Sequence, residues 1–542
     1  MSIYRQFCEE RFDENGSLSE FKLKYPDSFN FGYDVVDRIA ETEPQKTALV
    51  WCNTEGEEHR FTFRDIQLMS NRAANVFAAH GITKGDRVMV MLKRHYEYWF
   101  TTVALHKLGA VMVPVTHMLT TEDIIYRVNN AGIKGVVCTP QEDAPQKLVA
   151  AKSMCESLCL LWTVQKNISG FLNLTAEMDA APDVFERRET YAVDPLAIYF
   201  TSGTTGYPKG VIHDHTYPLS HIITARYWQQ VVDGGLHFTV AETGWAKTSW
   251  GKIYGQWLAG SAVMVYDFDN FDPKQLMSVI NRYHVTTFCA PPTIYRYFVK
   301  KGIEDMPSLR HATTAGEALN PEIFRRFEER TGLSLSEGFG QTESALILAN
   351  FAGRAAKPGS LGKPSPLYQV ELRREDGLPA ETGEIGEIVI IPTNDGIQPG
   401  IFTGYHDNPA LYKDVWRGGV YHTGDTAWKD EDGYYWFNGR IDDIIKTGGY
   451  RVGPYEIENV LMEHPAVLEC SVVGIPDKLR GQAIKAIIVP APGVIASDSL
   501  QREIRDFCNA RVAEYKWIRS VEFVSVLPKT ISGKIRKVEL RM

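Results

Sequence analysis

Short apolar runs of strand length alternate with helical stretches through the first half of the chain, and this rhythm leaves few folds open. Residues 86–92 (DRVMVML) read as a strand, Tyr96–Leu108 as a helix ending at Gly109, and residues 110–115 (AVMVPV) as a second apolar strand. Upstream, Thr62 and Asp65 have the spacing of a capping box, and the helix they open runs through Ala79 and stops at Gly81. Helices between continuously apolar strands imply βαβ units and a largely parallel sheet buried on both faces. The rhythm returns at 196–350, with strands at Leu196–Phe200, Ser261–Tyr266 and Val285–Ala290 and a helix over 272–283. Two related α/β subdomains are therefore expected.

After about residue 360 the texture changes. Gly383, Gly386, Gly404, Gly418, Gly419, Gly424 and Gly433 punctuate short β-rich runs, among them residues 387–392 (EIVIIP), as in a small antiparallel β unit. Beyond Arg440 a short α+β module runs to Met542 with no Gly/Ser-rich tether before it, so any boundary there is a tight hinge. The expected organisation is α/β. A large N-terminal domain, 1–439, holds two α/β subdomains and a small β-barrel-like part at about 360–439. A hinge at 440–442 and a small mobile α+β C-terminal domain, 443–542, follow.

With 58 basic and 67 acidic side chains the formal charge is −9, which disfavours a nucleic-acid backbone as partner but not a small anion met by a local cationic cluster. No apolar run approaches a membrane span. Eight cysteines are scattered without a CxxC pair, so reduced, mostly buried thiols are expected, with Cys155 and Cys159 four apart in a helix-compatible stretch. The acid-rich N-terminus has no apolar signal core, and the chain reads as cytoplasmic.

The strongest local motif is Tyr199–Gly210 (YFTSGTTGYPKG). A buried strand feeds a loop whose glycines, Gly203 and Gly206, allow backbone N–H groups to converge. Thr201, Ser202, Thr204 and Thr205 add hydroxyl donors and Lys209 a charge. That chemistry suits a polyphosphate, although the GxxxxGK[ST] spacing is absent and the composition alone also fits a solvated turn.

This string resembles the phosphate loop of the adenylate-forming superfamily of acyl-CoA synthetases, nonribosomal adenylation domains and luciferases. Further segments resemble its motifs in order: Thr314–Ala318 (TAGEA), Glu337–Glu343 (EGFGQTE), Tyr421–Asp425 (YHTGD), Gly439–Lys446 (GRIDDIIK) and Pro528–Lys534 (PKTISGK). The resemblance runs from about residue 30 to the end. It implies ATP/AMP contacts at Gly316, Glu317 and Ala318, in the adenine-binding segment, and at Glu337, Gly338, Phe339, Gly340, Gln341 and Thr342. Phe339 offers a ring face, and Asp425 accepts from the ribose hydroxyls. Lys534, Thr204 and Glu343 are the implied catalytic positions. Glu343 is the implied Mg²⁺ ligand, as a hard oxygen donor, and Lys534 the charge between carboxylate and α-phosphate. Arg440 and Arg451 are further nucleotide candidates, and Asp442 matches the hinge residue.

The implied reaction makes an acyl-adenylate from a carboxylic acid and ATP, then transfers the acyl group to a thiol. Gly448, Gly449 and Tyr450, with the charges of Arg480 and Lys516, resemble the coenzyme A site of the medium-chain acyl-CoA synthetases. So do Glu242–Lys247 (ETGWAK) and Ala290–Arg296 (APPTIYR). Acetyl-CoA synthetases carry tryptophan where this chain has Gly340. The glycine implies a wider acyl pocket, with Trp245 as a wall, and hence a medium-chain, branched or aryl acid. The expected ligands are ATP, coenzyme A, Mg²⁺ and the acid. Oligomeric state is left open, a homo-oligomer included, and acetylation of Lys534 is an expected means of regulation. Two other readings are a ligase loading a carrier-protein thiol and a non-catalytic nucleotide-binding relative.

Overall fold

Strand Arg87–Met91 is central to the first of two large sheets, and its Val88, Met89, Val90 and Met91 are all fully buried, which is why the run lacks polar alternation. The computed structural model describes residues 2–201, 208–317, 319–392, 398–530 and 534–541. In the first sheet Arg87–Met91 lies parallel to Val111–Pro114 and Ile133–Cys138, and the order continues through Leu160–Thr163 to Leu172–Asn173. On its other side lie Pro195–Thr201, Lys209–Asp214 and Gly404–Tyr405. The helices are fixed by the local signals. Thr62 and Asp65 form the reciprocal capping box of Phe63–Ala79, and Gly109 ends Glu97–Leu108 in the left-handed conformation.

The second sheet runs Lys363–Pro364, Leu346–Ala349, Leu335–Gly340, His311–Ala315, Thr287–Ala290, Leu236–Thr239, Ala262–Asp267, Thr47–Asn53 and Glu58–Thr62. The subdomains are thus not successive halves of the chain. The hairpin Thr47–Thr62 completes the second sheet, while Pro195–Asp214 belongs to the first. The sequence periodicity reports each strand but not which sheet receives it.

The glycine-punctuated region forms an antiparallel sheet of Gln369–Arg373, Gly386–Ile391, Tyr421–Lys429 and Tyr435–Arg440. A short 3₁₀ turn, Ile441–Asp443, leads out of it. The final sheet joins Tyr450–Val452, Ile445–Thr447, Gly481–Pro490, Val467–Asp477 and Ser520–Phe523. Ile457, Leu461, Ile504 and Cys508, from helices Pro454–Met462 and Asp498–Asn509, pack into its separate core. Seven of the eight thiols are buried and Cys159 is exposed. The Cys155–Cys159 stretch is turn rather than helix, because Gly135 and Lys134 draw it alongside the strand Ile133–Cys138: Cys159 N–H donates to Lys134 O at 3.0 Å. No helix among the described residues is long and apolar enough to cross a membrane.

Candidate active site

The phosphate-loop motif sits at the tip of an antiparallel hairpin. Thr201 and Lys209 are register partners, so the two strands hold both ends of the intervening segment. Ser202, Gly203, Thr204, Thr205 and Gly206 lie outside the described residues, as does Ala318. The Lys209 ammonium lies 5.7 Å from the centre of the Tyr405 ring, and Tyr405 donates its hydroxyl to Glu343 Oε1 at 2.9 Å. The strand Gly404–Tyr405 pairs with Val211 and Ile212 of the same hairpin. Burial, together with the Glu343 carboxylate, pushes the Tyr405 phenol well above its ordinary value and keeps it a hydrogen-bond donor. Tyr405 thereby links the two motifs, its ring meeting Lys209 and its hydroxyl Glu343. Tyr405 belongs to no sequence motif, so only the fold reveals it.

Strand Leu335–Gly340 carries the next motif. Glu337 is buried, accepts the Leu319 N–H at 3.2 Å, and has its pKa pushed up to about 8 by burial. Phe339 is half-buried, 6.5 Å from Phe437. A Cβ on Gly338 would lie 2.6 Å from the Trp228 ring, and one on Gly340 would collide with the Trp250 ring and lie 2.7 Å from Ala345 O. The two indoles meet edge to face at 6.2 Å. The expected open space at Gly340 is therefore corrected: the glycine makes room for Trp250, an indole supplied by another segment. Trp245 is half-buried in the turn before helix Lys247–Gly251, its N–H donating to Glu242 O at 3.3 Å. The Thr342 carbonyl accepts from His213 Nε2 at 2.7 Å, and burial lowers the pKa of that imidazole to about 4.

Asp425 lies on Tyr421–Lys429, beside the end of the previous motif. Gln341 donates its amide to Thr423 O at 2.7 Å and to Asp425 Oδ2 at 2.5 Å, and Tyr421 donates to Gln341 Oε1 at 2.7 Å. Arg440 approaches Asp425 at 3.5 Å and Asp442 at 3.2 Å. Burial raises the Asp425 pKa, and Arg440, Gln341 and Lys534 act against it. Lys534 is thus near enough for its charge to reach Asp425. Thr530 and Lys534 hydrogen-bond each other, and Lys529 bridges Ile535.

Gly316 has φ +101° and Glu317 accepts from Thr293 Oγ1 at 3.2 Å. On the C-terminal module, Gly448 and Gly449 turn between Ile445–Thr447 and Tyr450–Val452, both with positive φ. The Gly448 N–H donates to Arg480 O, Tyr450 stacks on Tyr515 at 4.5 Å, and Lys516 binds Glu456 at 2.5 Å. The five residues with coenzyme A expectations therefore share one exposed end of the module. Arg451 does not join the Asp425 cluster. It pairs with Glu375 at the surface, because the hairpin turn points it towards the antiparallel sheet of the large domain.

The sequence model of the AMP-binding enzyme matches residues 36–406, and that of the AMP-binding enzyme C-terminal domain matches residues 456–534. The chain belongs to the AMP-binding enzyme family. This AMP-binding enzyme is 38% identical over 552 residues to the mitochondrial acyl-coenzyme A synthetase ACSM3 of Rattus norvegicus, covering 99% of this chain and 94% of that one. It is 39% identical over 557 residues to ACSM3 of Homo sapiens, covering 99% and 93%. Among solved structures it is similar to the anthranilate CoA ligase AuaEII in complex with anthranoyl-AMP, at TM-score 0.85, 29% identity and 95% and 97% coverage. A benzoate CoA ligase from Burkholderia xenovorans gives TM-score 0.84, 25% identity and 95% and 100% coverage.

Proposed function

We propose that this AMP-binding enzyme is an ATP-dependent, AMP-forming acyl-CoA synthetase. It activates a medium-chain, branched or aryl carboxylic acid as the acyl-adenylate and transfers the acyl group to coenzyme A. The observation that carries the reading is the convergence of Asp425, Arg440 and Lys534 beside the strand that holds Phe339. These residues would supply a ribose acceptor, a ring face for adenine and a cation for the reacting anions. A medium-chain, branched or aryl acid is in keeping with the acyl-coenzyme A synthetases and aryl ligases that the chain resembles.

In the first step a carboxylate oxygen bonds to the α-phosphorus and the bond to the pyrophosphate oxygen breaks. Lys534 lowers the repulsion between the two anions as they meet. In the second step the thiol sulfur bonds to the acyl carbon, the carbon–oxygen bond to AMP breaks, and the thiol proton passes to solvent. Gly448, Gly449, Tyr450, Arg480 and Lys516 would receive the coenzyme. Mg²⁺ fits Glu343, which spends one oxygen on Tyr405 and keeps acceptor capacity on a hard carboxylate. Glu343 would hold the ion with the nucleotide phosphates, and the ion would neutralise phosphate charge there. The domain boundary at 440–442 and the rotation of the module about Asp442 belong to the same proposal.

The test is a panel of butyrate, hexanoate, octanoate, 2-methylbutyrate, benzoate and anthranilate assayed for AMP release with ATP and coenzyme A. Acid-dependent AMP and acyl-CoA formation supports the reading. Pyrophosphate release without acyl-CoA on free coenzyme A would favour carrier-protein loading, and none at all would favour a non-catalytic binder.

A further inference from the structure

Helix Lys247–Gly251 lays two side chains, one turn apart, against two motifs at once. Trp250 fills the space beside Gly340, and three residues earlier Lys247 reaches the end of strand His311–Ala315, where its ammonium donates to Ala315 O. A Cβ on Gly316 would lie 2.7 Å from the Lys247 Nζ, so the glycine that follows Ala315 leaves the room in which the ammonium sits. Lys247 is enclosed by protein yet retains exposed surface.

Its partners are too few for a lysine in such a place. An ammonium carries three donors, and Ala315 O is the one hydrogen-bond acceptor it has among the described residues. No carboxylate lies within ion-pair distance among the described residues: Glu317, which accepts from Thr293, acts on it from farther away, as does the buried thiol of Cys289. Burial lowers the affinity of Lys247 for its proton, Cys289 and Glu317 oppose this, and the Lys534 charge lowers it further. The charge of Lys534 thus acts on both Lys247 and Asp425, although Lys534 belongs to a different part of the molecule. A buried ammonium with two idle donors costs free energy unless an anion completes it.

We propose that Lys247 binds the carboxylate–phosphate group of the acyl-adenylate from the large domain and holds it through both half-reactions. This rests on the acyl-CoA synthetase reading. The division of labour follows from where each lysine is anchored. Lys534 belongs to the small C-terminal module and serves while that module faces the nucleotide. Lys247 stands on a helix of the large domain, bonded to the end of strand His311–Ala315, and stays with the intermediate when the module moves.

The probes are 5′-O-(N-hexanoylsulfamoyl)adenosine and its benzoyl counterpart, whose ionised sulfamate stands where the acyl phosphate would, compared with adenosine, which lacks it. Binding is measured by titration calorimetry on the full chain. Lys247→Gln removes the charge and keeps a donor for Ala315 O. The variant is expected to bind the sulfamates roughly 10- to 100-fold more weakly, the range for a charged hydrogen bond, and adenosine unchanged within about twofold. In single turnovers it is expected to slow both acid-dependent pyrophosphate release and thioester formation from supplied acyl-adenylate, whereas Lys534→Ala slows the first alone. Equal sulfamate affinity in wild type and Lys247→Gln would overturn the proposal while leaving the synthetase reading intact. An equal loss for adenosine would reassign Lys247 to supporting the adenine segment. Wild-type protein that binds the sulfamates no more tightly than adenosine would overturn both.

Discussion

The side-chain amide of Gln341 bonds Asp425 Oδ2 at 2.5 Å while Tyr421 holds the other end of that amide. The aspartate is thereby aimed before any ribose arrives. Gln341→Leu is expected to remove that aim and leave Asp425 to Arg440, 3.5 Å away. AMP affinity should fall by about tenfold, the lower end for a hydrogen bond to a charged group. Titration of AMP into the variant checks this, and an unchanged dissociation constant would separate Gln341 from nucleotide binding.

Lys534→Ala should cripple adenylation by about a hundred- to thousandfold, the cost of losing a well-placed electrostatic donor, and should spare thioester formation from supplied acyl-adenylate. Acetylation of the same ammonium should act alike. The two half-reactions are read separately in single turnovers, and equal losses in both would contradict the role.

The tight fit of Trp250 against Gly340 predicts that even Gly340→Ala lowers stability, by about 1–3 kcal/mol as an overpacked contact. Chemical denaturation gives the value. Trp250→Leu removes the ring instead and should raise the ratio of specificity constants for octanoate over butyrate. A ratio that does not move would place the acyl group elsewhere.

Glu337 supplies a pH prediction. Its folded pKa is raised from 4.5 to about 8 by burial, so the protonated form is the one that suits the fold. The stabilisation is complete below pH 4.5 and is lost as pH rises towards about 8, at up to roughly 1.4 kcal/mol per pH unit within that window. Glu337→Gln retains an acceptor for the Leu319 N–H and cannot ionise. Its melting temperature should therefore fall less than that of the wild type between pH 6 and pH 8, and parallel curves would show that Glu337 is already ionised.

Asp442→Pro is expected to retain acid-dependent pyrophosphate release in a single turnover and to lose acyl-CoA synthesis, because proline fixes φ near −65° at the turn between the large domain and the module. Full acyl-CoA synthesis by this variant would exclude a hinge there.

What could be read in the sequence was what is encoded locally. The capping box of Thr62 and Asp65 and the left-handed Gly109 are each set by residues within one turn, and both stand where the spacing puts them. The hairpin holding Thr201 opposite Lys209 was legible as a strand and a loop but not as a pair, since pairing requires the second strand's partner to be known. Tyr405, Tyr421, Trp228 and Trp250 reach the motif residues from elsewhere in the chain. No periodicity marks a ring that will pack against a distant glycine, so Gly340 was read as vacancy when it is a seat for Trp250. Arg451, a nucleotide candidate in the sequence, is drawn to Glu375, a surface charge outside the motif series.

The exchange of segments between the two large sheets sets an order of events during synthesis. Strand Thr47–Asn53 pairs with Ala262–Asp267, through partners such as Leu49 and Val263, so one edge of an early hairpin waits while roughly 200 further residues emerge, some 10–40 s at about 5–20 residues per second. During that interval Leu49, Val50 and Trp51, all buried in the finished protein, have no sheet to join. A ribosome-bound chain is exposed there to unwanted strand addition. A truncation ending near residue 240 would make the wait permanent, so such fragments should be recovered with chaperones or in aggregates rather than as a free subdomain.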